Sequence, residues 1–147
     1  MSTVVINLRR SREEMDIKQY EIANYFKVHS STISGWETDK DPIPLRRLIK
    51  YANHYNLSLD YLFGLVPKNV EYYPIELNLE KFSQNLRKLR RRNGMTQKEV
   101  AKRLNTSQAA YSHYETSLYL IPTSFLANLT KIYDSFSIDE LFGRVLK

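Results

Sequence analysis

Two short runs of this chain carry side chains whose shared chemistry is hydrogen bonding. They are His29-Ser-Ser-Thr32 and Ser107-Gln-Ala-Ala110, the second followed by His113. A planar amide such as Gln108 can donate and accept at once, whereas hydroxyls and imidazoles work through single atoms. A third feature is the cationic run Arg87-Lys-Leu-Arg-Arg-Arg92, suited to attracting anions. Bond-making chemistry has no comparable support. Cysteine is absent, which excludes disulfides and thiolate metal sites. His29, His54 and His113 lack metal-ligand spacing, and no glycine-rich phosphate loop accompanies them. No catalytic residue, metal, cofactor or small-molecule ligand is therefore expected.

The hydrogen-bonding runs sit inside a repeat. Residues 17–37 align with residues 95–115 at a constant offset, Gln19 with Gln97, Ala23 with Ala101, Trp36 with Tyr114 and Glu37 with Glu115. Such a period divides the chain into two similar halves. In the second copy Thr96 and Glu99 make a capping box ahead of the apolar positions Val100, Ala101 and Leu104. A turn at 105–107 precedes a helix with Ala110, Tyr111 and Tyr114 on one face. Helix, tight turn and second helix form the helix-turn-helix plan. The spacing predicts helices over 7–15, 18–25, 30–37, from Pro44, and 59–63, then 79–93, 97–104, 108–115, 122–133 and 138–142. The first copy is weaker at two points: Lys18 replaces the Thr96 cap, and Ser11 stands where the second copy has Leu89. Ser137 and Glu140 suggest another capping box. The repeat offset grows by one in the tail, which places one extra residue near 134–135.

Composition bounds the class. With 147 residues, 42% hydrophobic and 26% charged, the chain reads as an ordinary soluble protein of two domains. Residues 1–72 carry a surplus of one positive charge and residues 73–147 a surplus of five, out of a net +6. No apolar run approaches the roughly 20 residues that span a bilayer, and residues 1–14 lack a signal-peptide core. A cytoplasmic protein is expected. Residues 1–6 are expected to dock loosely. The linker, 65–80, contains Pro67 and Pro74, yet Val70, Tyr72, Tyr73, Ile75 and Leu77 are too apolar for a free tether. It should pack on the domains.

The pattern Thr96-Gln-x-x-x-Ala101 followed by Ser107-x-x-x-Tyr-Ser-x-Tyr-Glu115 resembles the Cro and phage-repressor type of helix-turn-helix domain. So does its first-half counterpart. Each half closes on the same tail, Ser58-Leu-Asp-Tyr-Leu-Phe-Gly64 and Ser137-Ile-Asp-Glu-Leu-Phe-Gly143. The resemblance covers 7–64 and 85–143. It implies an all-α fold of two tandem five-helix, lambda-repressor-like domains, 1–64 and 81–147. It also implies a prokaryotic or phage-type transcriptional regulator, a repressor that binds specific double-stranded DNA. Helices 30–37 and 108–115 would enter the major groove. Base reading falls to Gln108, Ala109, Ala110 and His113, and to Ser30, Ser31 and Thr32. Gly35 would face the groove but read nothing. Phosphate contacts fall to Gln19, Gln97, Ser107, His29, Arg91 and Arg92. Arg12 with Glu37 and Arg90 with Glu115 would be structural ion pairs.

Gln108 can pair with adenine N6 and N7, worth about 1–3 kcal/mol of discrimination. Hydroxyls discriminate weakly, so the second domain should supply more base specificity. A homodimer is one route to two half-sites. A single chain carrying two readers is another, because an extended linker reaches about 50 Å, beyond the roughly 34 Å between half-sites one turn apart. Tethering would then act through effective concentration. The competing reading is a protein-interaction module, antitoxin-like or a dimerisation component, in which one copy no longer reads DNA.

Overall fold

The structure is a computed structural model that describes residues 4–147. Ten α-helices and one isolated β-bridge make up its regular structure among the described residues. The first half comprises α1 (Leu8–Glu14), α2 (Gln19–Phe26), α3 (Ser30–Thr38), α4 (Leu45–His54) and α5 (Leu59–Leu62). The second comprises α6 (Leu79–Arg92), α7 (Gln97–Arg103), α8 (Gln108–Glu115), α9 (Thr123–Ile132) and α10 (Ile138–Leu141). α2 packs on α3 and α7 on α8, with the small Ala23 and Ala101 buried.

The capping residues set where these helices start. At α7, Thr96 Oγ1 accepts the Glu99 N–H and Glu99 Oε1 accepts the Thr96 N–H, both at 3.1 Å. At α2 only the returning half exists: Glu21 Oε2 accepts the Lys18 N–H at 2.7 Å. The thin stripe of α1 also has its explanation. Ser11 is buried, donates to the Leu8 carbonyl at 2.7 Å and lies 3.2 Å from Tyr51 Oη. The second half has Leu89 and Leu129 at these two repeat positions, both buried. A small polar and a large aromatic residue replace two leucines, so the filled volume is shared differently. The extra residue of the second half falls between α9 and α10, where five residues join helices that four join in the first half.

Two expectations need correction. The loosely docked start does not hold for residues 4–6, and residues 1–3 lie outside the described residues. Val5 is buried, the Val4 N–H is bonded to Asp39 Oδ2 at 2.6 Å, and the Asn7 N–H to the Leu62 carbonyl at 3.0 Å. The apolar Val5 gains more from the core than from water.

The tethered arrangement is also overturned, because the halves dock directly. Asp139 accepts hydrogen bonds from Ser58 Oγ (3.1 Å), Leu59 N (2.8 Å) and Asp60 N (2.9 Å). Asp60 accepts the reciprocal set from Ser137 Oγ (2.6 Å), Ile138 N (2.6 Å) and Asp139 N (3.4 Å). Each aspartate caps the opposing helix, the reciprocity of a two-fold contact formed within one chain. Ser137 Oγ also accepts the Glu140 N–H at 3.1 Å, so its hydroxyl proton goes to Asp60 while its lone pair caps α10. Thr123 Oγ1, buried, donates to the Ile43 carbonyl at 2.6 Å and joins the starts of α9 and α4. Spacing between the halves is thus set by a packed interface and not by linker reach.

The linker packs as expected. Asn53 holds Ile75 through both its amide atoms, at 2.8 and 3.2 Å. Tyr73 N–H bonds to the Val145 carbonyl at 2.8 Å and Lys147 N–H to the Glu71 carbonyl at 3.1 Å, so linker and C-terminal tail form a short antiparallel pair.

Candidate nucleic-acid interface

The side chains expected to read bases in the second half lie along the first turns of α8. Ser107 is the N-cap of α8, its Oγ accepting the Ala110 N–H at 3.1 Å. Gln108 and Ala109 are exposed and Ala110 and His113 half-buried. Tyr111 and Glu115 lie in the core beneath them. This split follows from helical spacing: the 111 and 115 positions share the inward face.

In the first half the cap of α3 is His29. Its Nδ1 accepts the Ser31 N–H at 3.1 Å and lies 2.8 Å from the Ser31 hydroxyl. The ring thus offers a groove only its other nitrogen, and the Ser31 hydroxyl is engaged. Ser31 remains exposed, with Ser30 and Thr32 half-buried. Gly35 departs from its expected groove-facing place. It is buried, and a Cβ built on it would lie 3.6 Å from Asp41 Oδ2. The loop after α3 folds back over this position. The Asp41 N–H is bonded to the Gly35 carbonyl at 3.3 Å.

The same loop in the second half presents different chemistry. Leu118 and Tyr119 N–H groups both reach the His113 carbonyl, at 3.1 and 3.3 Å. Tyr119 sets its ring edge-on to His113 at 5.6 Å. At the repeat position of Asp41 there is therefore a 59% exposed tyrosine. An acid thus stands beside α3, whereas an uncharged aromatic stands beside α8. Sequence patterning missed this because the loop shows no period. The aligned pair Asp41 and Tyr119 was its one available signal.

Beneath both readers lies one repeated construction. Arg12 grips Glu37 at 2.7 and 3.0 Å, and Arg90 grips Glu115 at 2.8 and 3.0 Å. Each arginine also ties the turn after its own helix, Arg12 to the Ile17 carbonyl at 3.0 Å and Arg90 to the Met95 carbonyl at 2.8 Å. Gln19 and Gln97 each donate to the same glutamates at 3.1 Å. These glutamines are thus half-buried and held in place, one N–H of each amide being engaged. Burial alone would raise the Glu115 carboxyl. The hydrogen bonds from Arg90 and Gln97 outweigh that and hold it below the usual range. Both arginines are raised by their glutamate partners.

Charge distinguishes the halves again at the end of the first helix. Arg91 and Arg92 are exposed at the end of α6. Their counterparts are Glu13 and Glu14, which pair with Arg9 and Arg10 at 3.6 and 2.7 Å. Among the described residues, Arg91 and Arg92 have no acidic partner, whereas the first half pairs Glu13 and Glu14 with its own arginines.

Comparison with protein-family models matches residues 8–62 to the helix-turn-helix family and residues 81–141 to a second helix-turn-helix domain family. The chain is a tandem helix-turn-helix protein of the Cro and phage-repressor type. As such it is a DNA-binding transcription regulator. No curated protein and no solved structure matched the chain. Among the described residues, no helix of this helix-turn-helix protein is long and apolar enough to cross a membrane.

The residues that position the two readers relative to one another escaped the sequence reading. Asp60, Asp139 and Arg144 are buried. Their signal was the Ser-x-Asp at both tails, which local capping explains only in part. The serine suffices for a cap, and the aspartate two residues on serves the opposite helix.

Proposed function

We propose that this chain represses transcription by occupying a bipartite operator as an internal dimer, one chain supplying both half-site readers. The observation that carries the reading is the reciprocal capping of α5 by Asp139 and of α10 by Asp60. An interface of this kind gives two unlike readers one fixed separation, so the half-sites differ in sequence and tolerate little change in spacing. Gln108, Ala109, Ala110 and His113 read bases in one half-site, with Ser107, Gln97, Arg91 and Arg92 on phosphates. Ser30, Ser31 and Thr32 face the other half-site, with Gln19 and His29 on its backbone. There, backbone contact and DNA shape carry more of the recognition.

Selection of bound sites from a random duplex library tests this directly. The expected product is an asymmetric bipartite motif with one preferred spacing and the stronger consensus under the second domain. A palindrome would transfer the assembly to a homodimer with one working reader per chain. A single half-site motif would leave the first domain as a protein-interaction surface, the reading favoured by Asp41 over Gly35.

A further inference from the structure

The loops that follow α3 and α8 share one backbone course. Asp39 and Ser117, equivalent in the repeat, both take the left-handed conformation, with φ of 62° and 68°. Two residues on, the Asp41 N–H meets the Gly35 carbonyl and the Tyr119 N–H the His113 carbonyl, each at 3.3 Å. This is one bond made twice, so positions 35 and 41 of the first half match 113 and 119 of the second. What they carry differs. The first half has no side chain at Gly35, and Asp41 lies beside it. The second half has an imidazole and a phenol ring set edge-on, with centroids 5.6 Å apart. Leu118 stands where the first half has Lys40, and Leu118 and Tyr119 are each more than half exposed.

The apolar surface of Leu118 and Tyr119 stays in water unless a partner covers it. Its position favours one partner. Ala109 and His113 lie four residues apart on α8 and so share a face, and the ring contact with His113 extends that face to Tyr119. Ala109, His113 and Tyr119 thus lie along one side of the helix. A protein seated on Tyr119 would cover His113 as well, in competition with the DNA binding that defines this family. Duplex DNA is the occupant that continuity with α8 favours.

We infer that Tyr119 is a DNA contact of the second half, one that the first half lacks. With α8 in the major groove, the Tyr119 ring lies on a deoxyribose at the groove edge and its hydroxyl donates to the adjoining phosphate. The same ring holds the His113 imidazole in place. Tyrosine suits this position because its body is apolar and its tip is a donor. Asp41, at the equivalent place, has no ring and, ionised, only accepts. The inference rests on the reading of α8 as the helix that enters the groove.

The test uses the full chain and a labelled duplex of mixed sequence, two helical turns long. Fluorescence anisotropy gives affinity and its salt dependence, and amide NMR gives the residues that respond. Leu118 and Tyr119 should respond together with Gln108 and Ala109. Tyr119→Ala should weaken binding roughly tenfold and Tyr119→Phe about threefold, the range of a packing contact with and without one net hydrogen bond. The salt slope and the thermal midpoint should stay unchanged, because no cation is lost and the residue is exposed. Full affinity in Tyr119→Ala or in Tyr119→Phe would overturn the inference. So would a shallower salt slope in Tyr119→Ala, which would assign the loss to a displaced cation. A response at Gln108 and Ala109 with none at Leu118 and Tyr119 would overturn the inference and leave the reading of α8 standing, whereas silence at all four would remove both. Self-association that Tyr119→Ala abolishes while DNA affinity holds would give the surface to a second copy of the chain and equally overturn it.

Discussion

The internal dimer makes an unequal prediction about two aspartates that look alike. Asp139→Ala removes the acceptor for Ser58 Oγ, Leu59 N and Asp60 N, and it strips a partner from Arg144. Arg144 is buried, holding Asp139 Oδ1 at 2.7 Å and the Leu57 carbonyl at 2.9 Å, with its guanidinium carbon 5.4 Å from the Tyr72 ring. Leaving a buried charge uncompensated costs about 3–5 kcal/mol, and each orphaned buried N–H about 1–3 kcal/mol. These losses overlap, so about 4–6 kcal/mol is the working figure. Asp60→Ala also loses three hydrogen bonds, but its repeat position has Leu65 where Asp139 has Arg144. It strands no cation and removes a like charge beside Asp139. About 1–3 kcal/mol is expected. Urea unfolding followed by circular dichroism gives both numbers. The same two proteins, assayed on duplexes with altered half-site spacing, should lose their preference for one spacing. Equal costs for the two substitutions, or spacing preference unchanged in Asp139→Ala while its stability falls, would refute the reasoning.

Four further outcomes follow from the geometry. Gln108→Ala should relax preference at one base pair and cost about 1–3 kcal/mol on the cognate duplex, whereas Gln97→Ala should weaken all sequences alike; competition binding against single-base variants separates them. Asp41→Asn should strengthen binding to unrelated duplex DNA and steepen its salt dependence, because the acid beside α3 opposes phosphate; an unchanged salt slope would place Asp41 away from DNA. Ser11→Leu alone should destabilise by about 1–3 kcal/mol through overpacking, and adding Tyr51→Leu should recover most of that loss in thermal melts, since the second half uses this leucine pair. Burial, with the nearby Asp139, pushes the Asp60 carboxyl up to about 6 against the hydrogen bonds it accepts from Ser137 and Ile138. A carboxyl raised on folding binds its proton more tightly in the native state. Stability should therefore fall, by on the order of 2 kcal/mol, as pH rises from about 4 to about 6, and Asp60→Asn should remove that slope.

Much of this molecule was legible without coordinates. Helix positions followed from apolar spacing and from caps such as Thr96, because an α-helix is a local structure whose period and ends are written in neighbouring residues. The repeat exposed the doubled plan, and a shift of one in its offset located the extra residue between α9 and α10. The buried ion pairs beneath α3 and α8 needed only the match to a known motif, since Arg12 and Glu37 and their counterparts recur at fixed spacing.

Other features depended on residues far apart in the chain. Asp60 and Asp139 each read locally as an acid in the first turn of a short helix, and only tertiary contact makes each the cap of the other's helix. Gly35 is buried because a non-periodic loop returns Asp41 to cover it. Ser11 looked like a gap in an apolar stripe until Tyr51, forty residues on, supplied its partner. The sequence by itself determined what the local units are, because hydrogen-bonding period and capping act within a few residues. Tertiary structure alone decided how the two units face one another and where the linker is held, through Asn53 and Asn69. Those outcomes turn on desolvated polar groups finding partners across the fold, and such partners leave no mark on local spacing.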